Sequence, residues 1–487
     1  MERWSDNANF VSGLVTRVAI GDSGSRLISM QGGLIPRVSA YATGSPIPLF
    51  TNLLPGRINI DVAMADRSPL MTVISTLEIT NGVFETTVDA VDVELSGDAR
   101  WSSTFATTGS NFRSFLAVNK SGSRTVAVLS NLQLSQNQIR VFDESGAVLR
   151  SFDIPTTSIL KIGAIDQKAN RLALLLLNGV FAIYDLNTGN VLHTENLAAG
   201  TRSMALSGDG STFAYSEFSR FEVVHELPSG QWSDVLVRFT PVGTSVNQIA
   251  LNFDGTRCGY ALDHVINDDE VEVGMWDVPA NTQMFQNSYA SPGTTSQLLS
   301  SGIDMNSAGD MLAVCTWGDS LDITPEVIVL NDQGMPTALL HTIGSAWDID
   351  LDDDGDVLAI GVSNATQGGS GGETVCLDAY EQTLHVIGLP RLSNPLTLTT
   401  PGGARRASFL ISRRLGEANS IFGITEIELG RALIAQIPSQ RIPFSGLEIS
   451  RTLPLRVALI GSTLHFQGVR FGATTELTNK VSIRIAP

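Results

Sequence analysis

The sequence predicts an all-β chain: a closed ring of four-stranded repeats, eight by direct count, followed by a small C-terminal β-sandwich. Three observations carry this. Short apolar alternations bounded by turn residues run from about residue 18 to 390, and long helical periodicity is nearly absent. One strand–turn–strand unit recurs at a period of about 45 residues, the spacing of a propeller blade. The sign of the charge changes near Gly388.

The repeat is an apolar strand, a polar turn with Gly, and a second apolar strand. It reads RVAIGDSGSRLISM, FLAVNKSGSRTVAVL, MALSGDGSTFAYS, IALNFDGTRCGYAL, IDMNSAGDMLAVC and IDLDDDGDVLAIG, with turn glycines Gly24, Gly122, Gly210, Gly255, Gly309 and Gly355. IGAIDQKANRLALL adds a copy with Ala169 in the Gly place, and IDVAMADRSPLMTVIS a degenerate one at Asp66-Arg67. From Gly122 the turns are 47, 41, 45, 54 and 46 residues apart, and Gly24 to Gly122 is two units, 98 residues. Each copy is followed by a second hairpin, as in IRVFDESGAVLRSF and VGMWDVPANTQMF, so each unit holds four strands. A ring must close without a free edge. Eight blades is the direct reading. Seven follows if the degenerate unit is an insertion, or if residues 10–15 complete the last blade.

The units resemble the WD40-like propeller repeats of bacterial surface and secreted proteins. Met275-Trp276-Asp277 and Tyr184-Asp185 stand where such repeats carry an aromatic–Asp pair. The resemblance implies a β-propeller over residues 18–390, with 1–17 as an N-terminal segment able to supply a closing strand. It is specific for fold and weak for function.

From Gly388 onward there are 12 Lys and Arg against 5 Glu and no Asp, whereas the whole chain has 31 basic and 49 acidic residues. A basic C-terminal part therefore follows an acidic propeller, and we place the boundary at 390/391. Runs of five to seven strand-like residues separated by Gly, Pro, Ser or Asn suggest the β-sandwich over 391–487. This stretch resembles a C-terminal domain of secreted proteins from planctomycete-like bacteria. The resemblance is carried by Leu459-Ile460-Gly461, Leu464, Phe466-Gln467 and Leu477-Thr478-Asn479. It implies export to the cell surface or beyond, although MERWSDNANF is not a signal peptide.

The net charge of −18 argues against nucleic acid and anionic membrane as partners. No apolar run approaches the ~20 residues of a spanning helix. Cys258, Cys315 and Cys376 lie in apolar strands without short spacing, which predicts three free thiols.

Gly368-Gly369-Ser370-Gly371-Gly372 fits G-x-S-x-G, yet Gly flanks the Ser on both sides and no helix follows, so a loop is expected. Asp350, Asp352 and Asp354 open a D-x-D-x-D-G calcium pattern. Its twelfth position is Gly361 rather than Glu, and the same stretch is the ordinary turn of its repeat. They remain a weak Ca²⁺ candidate. The loop after the second strand is enlarged in three successive units, and in a propeller these loops share a face with the blade-to-blade connections. Asp263, Asp268, Asp269, Glu270, Asp319 and Asp322 would supply negative potential there, and Trp317 an apolar contact. No other cofactor is expected. The six histidines show no ligand spacing.

These readings favour an extracellular or cell-surface binding or structural protein over an enzyme. Its partner would be a protein or a polysaccharide, or a second copy through acidic propeller and basic C-terminal part. Two alternatives remain: an enzyme working at the central channel, and a self-assembling surface-layer or filament subunit.

Overall fold

Residues that alternate two apolar strands with one tight polar turn pair locally into up-and-down sheets, and eight such sheets form. The computed structural model describes residues 2–379, except 7–13, 22–23, 33–34, 44, 66–67, 81–82, 94–97, 109–111, 132–134, 157, 199, 267–269, 291–298, 319–323, 343 and 364–371; beyond 384 it describes the backbone of nine strands. No helix occurs among the described residues, so none is long and apolar enough to cross a membrane.

Seven four-stranded antiparallel sheets each come from one continuous stretch: blades 1 to 7 over 14–53, 57–108, 112–155, 160–196, 203–239, 244–290 and 300–340. Blade 8 takes its first three strands from 345–378 and its fourth from Glu2–Asp6, which pairs antiparallel with Gly372–Asp378. The architecture is an eight-bladed β-propeller. The stretch 10–15 does not close it: Leu14–Ile20 is the inner strand of blade 1. Nor is the degenerate unit an insertion. Its strands Leu70–Thr80, Val83–Asp92 and Ala99–Thr108 make a full blade with Arg57–Met64.

The second and third strands are buried on both faces because each blade is covered by two neighbours. Arg171–Leu176 and Val180–Asp185 of blade 4 are almost wholly buried, whereas the outer strand Val148–Pro155 of blade 3 is largely exposed. Val126, Val128, Ile139 and Val141 of blade 3 pack on Leu172, Leu174, Ala182 and Tyr184 of blade 4 in one cluster.

The turn signature has a geometric cause. In blades 3, 4, 6 and 8, Asn119, Asp166, Asn252 and Asp352 follow the inner strand. Each side-chain Oδ1 accepts the backbone N–H five residues on, from Arg124, Arg171, Arg257 and Val357. Three residues on, the chain turns through positive φ at Gly122 (73°), Ala169 (51°), Gly255 (68°) and Gly355 (78°). Gly costs least in that region, and Asn and Asp mimic a backbone turn.

The chain forms two compact units, Glu2–Tyr380 and Glu381–Pro487. In the second unit, Leu433–Arg441, Arg406–Ser412, Thr463–Phe471 and Thr475–Arg484 form one sheet in that order; His385–Ile387, Pro395–Thr400 and Leu447–Thr452 form another, and Leu415–Ser420 pairs with Gly423–Ile427. The linker residues 388–394 lie outside the described residues, as does Leu459-Ile460-Gly461.

Candidate functional site

An up-and-down blade gives the ring two unlike faces. One carries the turns between the first and second and between the third and fourth strands; we call it the turn face. The other, the loop face, carries the loops between the second and third strands and the blade-to-blade connections.

The turn face is tied together by backbone. Lys120 N–H donates to Gln167 O, Gln167 N–H to Gly208 O, Asp209 N–H to Phe253 O, Phe253 N–H to Ser307 O, and Ser307 N–H to Asp353 O. This collar links blades 3 to 8. Across it, Lys120 pairs with Asp353, and Gln167 Nε2 donates to Ser307 Oγ (3.3 Å) and Asp353 Oδ1 (3.2 Å). A cavity of about 860 Å³ lies at this mouth, lined by Lys120, Lys168, Phe253 and Asp353 among others.

Inside the channel, inner-strand carboxylates cross from blade to blade. Asp61 accepts the N–H of Leu116 (3.1 Å), Asp304 that of Leu351 (2.7 Å), Asp348 that of Val18 (2.8 Å) and Asp350 that of Ile20 (2.6 Å). The Arg17 guanidinium lies 3.5 Å from Asp61 and 3.7 Å from Asp348. Burial pushes Asp304 and Asp348 up to about 6. Asp350 is driven well above the carboxylate range by burial and by the charge of Asp304, to which it is hydrogen-bonded. The recurring Ile-Asp of Ile60-Asp61, Ile303-Asp304 and Ile349-Asp350 is the sequence signal for this set, and sequence reasoning passed over it.

Asp350, Asp352 and Asp354 do not converge on a cation. Asp350 serves the channel latch, Asp352 caps its turn by accepting from Asp356 and Val357, and Asp354 is exposed. Turn and latch chemistry accounts for Asp352 and Asp350.

On the loop face the expected residues separate. Asp263 belongs to the strand Arg257–His264, not to the loop, and is fully buried. It accepts the N–H (3.0 Å) and hydroxyl (2.7 Å) of Ser300 in blade 7 and the Asn247 amide (2.5 Å), and burial raises it to about 6. Strand alternation turned it toward the neighbouring blade. Trp317 stacks on Trp347 at 5.4 Å, half-buried, its carbonyl accepting from Ser345 Oγ. Glu270 opens the strand Glu270–Asp277 and approaches His264. Asp268, Asp269, Asp319 and Asp322 lie outside the described residues, as does 368–371 of the G-x-S-x-G match. Among the described residues, His264, Glu270 and Glu272 are the group whose ligand atoms lie close enough together to hold a metal ion.

The structure adds an apolar patch. Val242 is 101% exposed, Phe239 and Ile266 75%, and Phe218 51%, all on the loop face of blades 5 and 6. Backbone bonds weld the patch: Thr240 N–H to Ser219 O and Val265 N–H to Gly243 O. Ile266 covers Gly243 so closely that a Cβ there would sit 2.6 Å from its Cδ1. The Arg202 guanidinium stacks 4.3 Å over the Phe218 ring. Scattered exposed apolar residues are ordinary, but these four sit on segments that backbone bonds hold side by side.

No protein-family model matches the chain, and no curated protein matches it. Among solved structures it is similar to the β-propeller domain of Cps50 (Swd1) from Myceliophteria thermophila, with 13% identity over 77% of this chain and 99% of that one and a TM-score of 0.46. The blade count rests on this chain's own strand pairing.

Three thiols are free and buried. Burial pushes Cys315 up to about 12 and Cys258 higher still.

Proposed function

We propose that this propeller is a binding module that docks a protein partner on the loop face of blades 5 and 6. The observation that carries the reading is the patch of Phe218, Phe239, Val242 and Ile266, four large apolar side chains at least half exposed on a rigid scaffold. The partner's complementary feature is an apolar anchor, with Arg202 at the rim. We place the protein outside the cytoplasm, a setting supported by the likeness of its last hundred or so residues to exported bacterial proteins.

A photo-crosslinking residue at Val242 in the native cell tests this. A discrete cross-linked protein, lost when Phe239→Ser and Ile266→Ser are combined and absent when the probe is moved to Leu149 on the outer strand, supports the reading. No discrete product, or one indifferent to these changes, overturns it. A cross-link to the chain itself makes the partner a second copy.

A catalytic reading at the channel draws on Asp61, Asp348 and Asp350 near Arg17, with Asp304 beside Asp350. Each of those carboxylates is already occupied by the backbone N–H of the next blade, which favours a latch over a reaction centre.

A further inference from the structure

His264, Glu270 and Glu272 occupy two paired strands of blade 6. Leu262 pairs with Glu272 and Asp263 with Val271, so His264 ends its strand beside Glu270. His264 Nε2 lies 2.7 Å from Glu272 Oε1 and 3.6 Å from Glu270 Oε2. Each carboxylate has its second oxygen held by the fourth strand: Ser288 Oγ donates to Glu270 Oε1, and Gln286 Nε2 to Glu272 Oε2. Gln286 is itself fixed, its Oε1 accepting from Gln283 (2.6 Å) and from the Tyr260 hydroxyl (3.4 Å). Both acids are thus oriented from behind, with their remaining oxygens turned toward one imidazole nitrogen.

Two carboxylates turned toward one point are stabilised by a cation between them. Among the described residues no Lys or Arg pairs with either Glu270 or Glu272; their ion-pair partner is His264. The three ligand atoms lie within 4.8 Å of one another. A tetrahedral ion with bonds of about 2.0–2.1 Å has ligand–ligand edges of about 3.3 Å. The two observed separations to His264, 2.7 and 3.6 Å, bracket that edge.

We propose that His264, Glu270 and Glu272 form a binding site for a first-row divalent metal ion of the zinc or cobalt type. One imidazole with two carboxylates suits these ions. The three ligands found among the described residues are too few for calcium, which takes six to eight oxygens. Gln286 and Ser288 are positioning residues, holding each carboxylate in its binding orientation. The side chains are partly exposed, His264 and Glu270 at 28% and Glu272 at 11%, which leaves an entry path and a fourth position for water. The site stands independently of the docking reading, because its ligands lie in the sheet and not in the apolar patch.

The test uses the untagged full chain, stripped with a chelator and titrated calorimetrically with Zn²⁺, Co²⁺ and Ca²⁺ in turn. The expected result is one Zn²⁺ or Co²⁺ per chain, with the intense visible absorption of tetrahedral Co²⁺. His264→Ala and Glu272→Gln should each weaken binding at least tenfold, and Ser288→Ala by about tenfold. His225→Ala, in blade 5, should leave it unchanged. Thermal unfolding of the metal-free variants at the wild-type temperature shows that they fold, and Glu270→Gln replaces any that does not. Absence of Zn²⁺ and Co²⁺ uptake, uptake indifferent to His264 and Glu272, or preference for Ca²⁺ overturns the proposal.

Discussion

The two faces of the ring obey different rules. On the turn face blades 3, 4, 6 and 8 solve the same problem in the same way, with an Asn or Asp cap and a residue in the left-handed region, and backbone bonds join the turns of blades 3 to 8. On the loop face blades 4 and 6 differ. Blade 4 turns between its second and third strands at Asn178-Gly179, whereas blade 6 carries Val265 and Ile266 outward. Repetition marks the residues that hold the ring. Departure from it marks those free to recognise something.

The sharpest way to break this contrast is Gly255→Ala. At φ +68° its new Cβ would lie 2.3 Å from Thr212 Oγ1 and 2.4 Å from Thr212 Cβ, so left-handed strain and overpacking add. Chemical denaturation should show a loss of about 2–4 kcal/mol. Gly230→Ala, at φ +80° with nothing within 4 Å, should lose only about 1 kcal/mol. Equal losses would mean that contact between blades contributes nothing to the turn rule.

Next in size is Asp61→Ala, which strands the buried N–H of Leu116. A loss of about 1–3 kcal/mol is expected, with Asp61→Asn costing less because it keeps an acceptor. Partner capture at Val242 should survive both. If either substitution abolished capture while the fold persisted, the channel would be part of recognition.

The channel and the blade 6–7 joint also predict a pH dependence. Asp263, Asp304 and Asp348 are held near 6, above the unfolded value near 3.9. A raised carboxyl stabilises the fold fully below its unfolded value, and that contribution is lost as pH rises through its folded value. The unfolding free energy should therefore fall from pH 5 to pH 7, by up to about 1.4 kcal/mol per pH unit for each proton retained, and the melting temperature with it. Asp304→Asn should flatten the slope, and a melting temperature rising over this range would refute the assignment.

Smaller still, Phe239→Ser with Ile266→Ser should change stability by no more than about 0.5 kcal/mol, as befits exposed side chains. The smallest effect is chemical: a thiol reagent should find no reactive group in the folded propeller and three after unfolding. A reactive thiol in the folded state would place a cysteine at a surface.

The repeat was legible because its cause is local. A Gly or an Ala169 at positive φ and a cap three residues earlier need only a short stretch of chain, so the turns stand out in the sequence. The fourth strand of blade 8 was expected only as a segment within 1–17, because pairing between Glu2–Asp6 and Gly372–Asp378 leaves no local trace. The site was less legible still. Asp263 was read as a loop residue because an Asp beside His264 looks solvent-bound, yet strand alternation carries it to Ser300 in the next blade. Glu272 went unnoticed because its meaning depends on His264 across the strand pair. Phe239, Val242 and Ile266 each look ordinary alone and become a patch only where two blades meet.

The pairing of Asp6 with Thr374 has a consequence for how the protein is made. On the ribosome, Glu2–Asp6 emerges before any blade and its partner strand after seven of them, so this strand must wait unpaired through the synthesis of nearly the whole ring. Until then the growing chain is an open arc with an edge at each end, the state most exposed to pairing with a neighbouring nascent chain. The yield of folded protein should therefore depend on how well the two edges are shielded until residue 378 has appeared.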